Sequence, residues 1–188
     1  MQSQPGQYGG SKTPESLRDT WRTPPEIFAA LNAEFIFQMD AAASEENRLC
    51  RLFISEEENT LTTSWPQAMG YAEGYVWMNP PYSDIGPFVD KAAHENKWSR
   101  IGCVMLLPAD TSVGWFIQAI ETASEVRFIT GGRLAFIDAN GKPVSGNPKG
   151  SMLIIWHPWP RTHCQFSTVK RDDLMRFGTQ RIEKRNAA

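Results

Sequence analysis

Cysteine is scarce in this chain and unpatterned where it occurs. Cys50, Cys103 and Cys164 lie far apart, form no CxxC pair and leave an odd count. That argues against a disulfide framework or a thiolate zinc site and for reduced, structural thiols. The stretch WHPWPRTHC brings His157, His163 and Cys164 close in sequence, but without metal-ligand spacing, so no metal is expected. No apolar run approaches the roughly 20 residues needed to cross a bilayer. The start, MQSQPGQYGGSKTPES, has neither the basic nor the apolar region of a secretory leader. A cytoplasmic protein with no membrane partner is expected, and nothing points to an obligate protein partner.

Charge of one sign is also lacking over the whole chain, whose formal net charge is −2, but it is unevenly spread. From Arg161 onward seven Lys and Arg face three Asp and Glu, a local +4 that leaves −6 for the rest. A basic end of this kind attracts phosphate backbones, although solvated basic ends are common, and charge alone does not identify nucleic acid. At 188 residues with 41% hydrophobic content, one domain is expected. Residues 1–19, rich in Gln, Gly, Ser and Pro, read as a flexible N-terminal arm. Residues 20–160 read as the folded domain and 161–188 as a basic C-terminal segment.

Within that domain PPEIFAALNAEF carries apolar residues at helical spacing, with Thr23 as the expected N-cap and prolines in the first turn. Short apolar runs follow at FIFQMD, RLFI, YVWM, IGCVMLLP, EVRFI, RLAFI and SMLIIW, seven candidate strands. GPFVDKAAHENKW and TSVGWFIQAIETA between them have helical patterns, which predicts crossovers and a mostly parallel α/β sheet. RLAFI and SMLIIW flank the turn-rich DANGKPVSGNPKG and are expected to close the sheet as a C-terminal antiparallel hairpin. Trp77, Trp115 and Trp156 fall in apolar runs and read as core, whereas Trp21 lies in a polar stretch.

Ligands of such sheets bind at the carboxyl ends of the strands, which singles out Asp40, Asn79 and Asp110. Asp110 reads as a helix cap sooner than as a catalytic acid. Asn79 opens Asn79-Pro80-Pro81-Tyr82. The prolines fix two successive φ angles and offer no N–H, so the site is rich in acceptors: the Asn79 side-chain oxygen and the Pro80 carbonyl. Tyr82 adds a ring for stacking. That set suits the exocyclic amine of a flat heterocycle, whose hydrogens two acceptors grip while the nitrogen lone pair is freed for attack.

NPPY resembles the catalytic motif of amino-methyltransferases that use S-adenosylmethionine. With WRTPPEIF, FIFQMDAAAS, NTLTTSW, VWMNPPYS, GGRLAFI and KGSMLIIW, the chain from Asp19 to Trp159 is similar to the phage-type DNA N6-adenine methyltransferases of the Dam-like family. The resemblance implies a single-domain Rossmann-like methyltransferase fold, S-adenosylmethionine as donor, double-stranded DNA as partner, and the host cytoplasm as location if the chain is phage-encoded. It implies that Asn79, Pro80, Pro81 and Tyr82 hold a flipped adenine. Trp21, Thr23 and Pro24 would close over the methionine end of the donor. Asp40 and Ala41 would lie beside it, although Asp40 also reads as an N-cap for AAASEEN. DAAAS replaces the Gly-rich FxGxG of many methyltransferases, and its alanines are small but ill suited to positive φ. For the donor ribose EEENTLTTSW offers Glu57, Glu58 and Asn59, of which Asn59 fits by position. Arg133, Lys142, Asn147 and Lys149 are candidate DNA contacts. A methyltransferase for cytosine N4, RNA adenine or protein glutamine, and an idle nucleic-acid-binding module, are the alternatives.

Overall fold

The computed structural model describes residues 19–70, 73–144, 147–159 and 163–187, so the expected arm lies outside the described residues except for Asp19. Twelve elements follow in order: α1 (Pro25–Phe35), β1 (Phe37–Asp40), β2 (Leu52–Phe53), α2 (Trp65–Ala68), β3 (Tyr75–Met78), α3 (Gly86–Ser99), β4 (Gly102–Pro108), α4 (Gly114–Thr122), β5 (Glu125–Thr130), β6 (Ser151–Trp156), β7 (Gln165–Lys170) and α5 (Arg171–Asn186). Pro25 occupies the first turn of α1 and holds Pro24 extended at φ −55° and ψ 131°. The helix therefore begins one residue later than expected, and Pro24 rather than Thr23 is its N-cap. At the other end Ile36 takes a left-handed conformation, which ends α1 and lets β1 start at Phe37.

All strands join one seven-stranded sheet in the order β2-β1-β3-β4-β6-β5-β7. β6 runs antiparallel to both β4 and β5, and the other pairings are parallel. The sheet is mixed and mostly parallel, but the expected terminal hairpin is not how it closes. Every residue of SMLIIW is buried, and a strand apolar on both faces belongs in the interior of a sheet, so β6 inserts between β4 and β5. RLAFI forms no strand: Leu134 and Phe136 are buried while their neighbours Arg133 and Ala135 are exposed, and Ile137 makes isolated bridges with Arg22 and Pro143. β7 and α5, unread as elements in the sequence, lie in the basic segment; β7 pairs with β5 at the edge and α5 packs on α1.

Strand alternation divides the interior into two layers. Val76, Met78, Cys103, Met105 and Leu107 face Val89 and Ala92 of α3 and Phe116 and Ala119 of α4. Trp77, Val104, Leu106, Leu153 and Ile155 face Ile27 and Leu31 of α1 and Leu174 of α5. Each such Val, Leu, Ile or Met side chain, when fully buried, contributes about 1.5–3 kcal/mol. Trp77 and Trp156 are core; Trp115 is half-buried at its margin. Because β1, β3 and β4 are parallel, Asp40, Asn79 and Asp110 emerge at the same end of the sheet.

Candidate active site

A cavity of about 720 Å³ opens at that end, a volume within the range of small-molecule sites. Trp21, Thr23, Asp40, Ala41, Asn59, Asn79 and Pro81 all line it. Its walls come chiefly from the turn before α1, the loop after β1, the NPPY segment after β3 and the segment between β2 and α2. The last is pinned to α3 from outside. Lys91 donates to the Thr63 carbonyl at 2.8 Å and pairs with buried Glu95 at 2.7 Å, which also accepts from the Trp65 N–H.

Asn79 follows β3 directly. Its Nδ2 donates to the Trp21 carbonyl at 3.2 Å. A carbonyl can only accept, so the amide nitrogen must face it, and this orients the oxygen the other way. Asn79 Oδ1 is buried and has no hydrogen-bond partner, and the same holds for Thr23 Oγ1. An unsatisfied buried acceptor costs about 1–3 kcal/mol. These are the two such side-chain atoms among the described residues, and both residues line the one cavity.

Tyr82 is fixed rather than free. Its hydroxyl donates to the Leu106 carbonyl at 3.1 Å, and its ring meets Phe136 edge to face at 6.2 Å. Burial drives the phenol well above its ordinary range, so it stays neutral. Pro80 is buried, and neither it nor Tyr82 is part of the cavity wall. Phe136 also stacks on Trp21 at 5.8 Å, so RLAFI backs the site from outside the cavity.

Asp40 is 3% exposed. Burial pushes its carboxyl up to about 6, against the partial relief of hydrogen bonds from the Leu49 and Ala42 N–H groups at 3.1 and 3.4 Å. No helix follows it, so the expected N-cap role is replaced by bracing an irregular loop to β2. Ala41, Ala42 and Ala43 adopt no positive φ, so this loop turns without needing glycine. Asn59 does adopt one, at 56°, a conformation that Asn tolerates well, and its side chain accepts from the Leu61 N–H at 3.0 Å. Glu57 and Glu58 are outside the wall, and Glu58 instead accepts from the Ser55 N–H; Ser55 and Glu56, which sequence reasoning passed over, are part of it.

The four basic and amide candidates are not cavity residues. Arg133 donates to the Asn147 carbonyl at 2.9 Å, Lys149 is ion-paired with Asp110, and Lys142 lies exposed after the Asp138 turn. Asp110 accepts from Ser112 and precedes α4 by several residues, so it is a turn residue and not the cap of that helix. Its carboxyl is held well below the usual range, chiefly by Lys149. Arg133, Lys142, Asn147 and Lys149 sit together on the loops between β5 and β6, at the same end of the sheet as the cavity. His157 is at the opposite end, hydrogen-bonded to the Tyr75 hydroxyl at 2.6 Å and stacked on Trp159. Among the described residues no group of three or more His, Cys, Asp or Glu is placed to hold a metal ion, and no helix is long and apolar enough to cross a membrane.

Asp19 is another residue that sequence reasoning missed. Its Oδ1 accepts from the N–H groups of Tyr82 and Ser83 at 2.8 and 3.1 Å. The signal was its place two residues before Trp21, at the seam between a polar arm and the first helix.

A family model described as DNA N-6-adenine-methyltransferase (Dam) matches residues 10–181. A DNA N-6-adenine-methyltransferase of Escherichia phage T1 is 40% identical over 164 residues, covering 79% of this chain and 66% of the relative. One of Haemophilus phage HP1 (strain HP1c1) is 36% identical over 151 residues, covering 79% of this chain and 84% of the relative. The chain thus spans just under two thirds of the length of the T1 relative. With the matched region running through the turn before α1, the NPPY segment and all seven strands of the sheet, the chain belongs to the DNA N-6-adenine-methyltransferase (Dam) family.

Proposed function

We propose that this member of an adenine-methyltransferase family transfers a methyl group from S-adenosylmethionine to the N6 amine of an adenine flipped out of double-stranded DNA. The observation that carries the reading is Asn79: a side-chain amide whose nitrogen is committed to Trp21 and whose buried oxygen is left to accept. In this reading residues 20–160 form a Rossmann-like methyltransferase domain, and the basic segment 161–188 buttresses it through β7 and α5.

The cavity chemistry fits the donor. S-adenosylmethionine, when bound, supplies an electrophilic methyl on a sulfonium, and its methionine end carries an ammonium. Asp40 is a buried carboxyl on the wall with no ion pair among the described residues, suited to a cationic ligand. Thr23 Oγ1 supplies a further polar contact under the cover of Trp21 and Pro24, Ala41 permits close approach, and Asn59 takes the ribose.

The chain's own part in catalysis is alignment and charge stabilisation. Extruding the adenine costs about a few kcal/mol, recovered by stacking on Tyr82 and by hydrogen bonds. Asn79 Oδ1 and the Pro80 carbonyl accept the two amine hydrogens, free the nitrogen lone pair and stabilise the positive charge that grows there. The neutral Tyr82 phenol is no base, so the proton leaves to water once the amine is cationic. Arg133, Lys142, Asn147 and Lys149 meet DNA beside the pocket.

The test is incorporation of labelled methyl from S-adenosylmethionine into unmodified duplex DNA, followed by nucleoside analysis. N6-methyladenine is expected, and Asn79→Ala should lower kcat by about 10²–10³ while donor affinity changes little. N4-methylcytosine, or label found only in RNA or protein, would overturn the acceptor assignment. Failure to bind the donor at all would favour an idle module.

A further inference from the structure

Residues 19–23 form a strap tied to the NPPY segment and to the Phe136 loop at the same time. Arg22 exchanges backbone hydrogen bonds with Ile137 at 2.8 and 2.9 Å, Trp21 stacks on Phe136, and the Trp21 carbonyl holds Asn79. The remaining tie is Asp19. Prolines 80 and 81 have no N–H, so the first backbone donors after Asn79 are those of Tyr82 and Ser83. One oxygen of Asp19 accepts both, across 63 and 64 positions of sequence. Charge-assisted bonds of this type are shorter and stronger than neutral ones.

We propose that Asp19 is a positioning residue for methyl transfer: by gripping the Tyr82 and Ser83 amides it sets the pose of the NPPY segment and couples the donor's cover to the amine clamp. This deepens the reading of Asn79 to Tyr82 as that clamp and rests on it. Asn79 is held by Trp21 on one side of the two prolines and Tyr82 by Asp19 on the other, so both ends of a stiff dipeptide are referred to the same strap. The strap therefore holds the Asn79 oxygen, the Pro80 carbonyl and the Tyr82 ring as one unit. Releasing Asp19 leaves Tyr82 with its hydroxyl bond to Leu106 and its ring contact with Phe136 but takes away the acceptor of its amide, and misplacements of about 1 Å at a reacting centre cost about 10²-fold in rate.

The experiment compares the full-length wild type with Asp19→Ala and Asp19→Asn in two assays. Hydrogen exchange of the Tyr82 and Ser83 amides reads the tie without any turnover, and steady-state methylation of duplex DNA reads its consequence. In Asp19→Ala both amides should exchange at least about tenfold faster and kcat should fall about tenfold or more, with S-adenosylhomocysteine affinity within about threefold of wild type. Asp19→Asn keeps an oxygen that accepts from both amides and should restore most of the protection and the rate. Unchanged exchange in Asp19→Ala would overturn the proposal, as would faster exchange with unaltered kcat, or equal losses of kcat, ligand affinity and melting temperature, which a purely structural residue would produce. A wild type inactive on DNA would overturn the clamp reading instead. The exchange comparison would then still judge the tie, supporting it if only Asp19→Ala speeds up and overturning it if nothing does.

Discussion

At the scale of single residues, a carboxyl or an amide is informative when its surroundings leave one of its atoms unanswered. Asn79 was legible from its prolines alone, because few turns require Asn, Pro, Pro and Tyr together. Its orientation was not, because the carbonyl that fixes it belongs to Trp21, 58 positions away. Asp40 was legible as the polar end of a strand, but its burial was invisible. The consequence is a pH dependence with a definite sign. Its folded-state value of about 6 lies above the ordinary 3.8, so between those values the unfolded chain has released a proton that the folded chain still holds. Stability contributed by Asp40 is therefore greatest below that window and declines as pH rises through it, by about 3 kcal/mol in all. A cation in the cavity favours the carboxylate and reverses the penalty. Donor binding should accordingly release a proton near pH 6 and tighten as pH rises through that value. Calorimetry in buffers of different ionisation enthalpy checks both, and Asp40→Asn should abolish the release.

Elements were readable where one face is strongly apolar and opaque where it is not. α1 and α3 announce themselves by periodicity and their opening prolines. α5 does not: of its sixteen residues only Leu174 and Gly178 are buried. Its acidic first turn and basic last turn suit a helix macrodipole, and that was the available signal. β7, with Phe166 exposed and polar residues between, lacks the apolar weight of the interior strands. The glycine in α5 marks its contact surface. A Cβ on Gly178 would run into the backbone carbonyl of Glu26, so the two helices touch main chain to main chain there. Alanine is favoured over glycine within a helix by about 1 kcal/mol. Gly178→Ala should nevertheless destabilise the protein by about 1–3 kcal/mol through overpacking, seen as a lower thermal midpoint. A raised midpoint would mean that α5 does not rest on α1 in this way.

Over the whole molecule, the parallel run of β1, β3 and β4 gathers the polar ends of three strands at one edge, and β6 returns the loops between β5 and β6 to the same edge. The proposed DNA-binding side chains there are unequal in electrostatic terms. Lys149 is already paired with Asp110, whereas Lys142 is exposed with no salt bridge found among the described residues. Each phosphate that a variant leaves without its cation reduces the slope of log K against log salt by about 0.9. Lys142→Ala should show close to that reduction in DNA-binding titrations across salt concentrations, and Lys149→Ala less. Equal slopes in wild type and Lys142→Ala would remove Lys142 from the interface.

What the sequence by itself determined follows from local physics: the periods of the interior strands and of the apolar-faced helices, the rigid acceptor-rich NPPY turn, and the resemblance that named the chemistry. What only the tertiary structure decided depends on partners distant in the chain. Insertion of β6 between β4 and β5, use of Phe136 under Trp21 and Tyr82, burial of Asp40 and the grip of Asp19 on two amides each join segments that no local pattern links. A backbone period records how one segment meets an apolar layer, but not which segment lies on the other side of it.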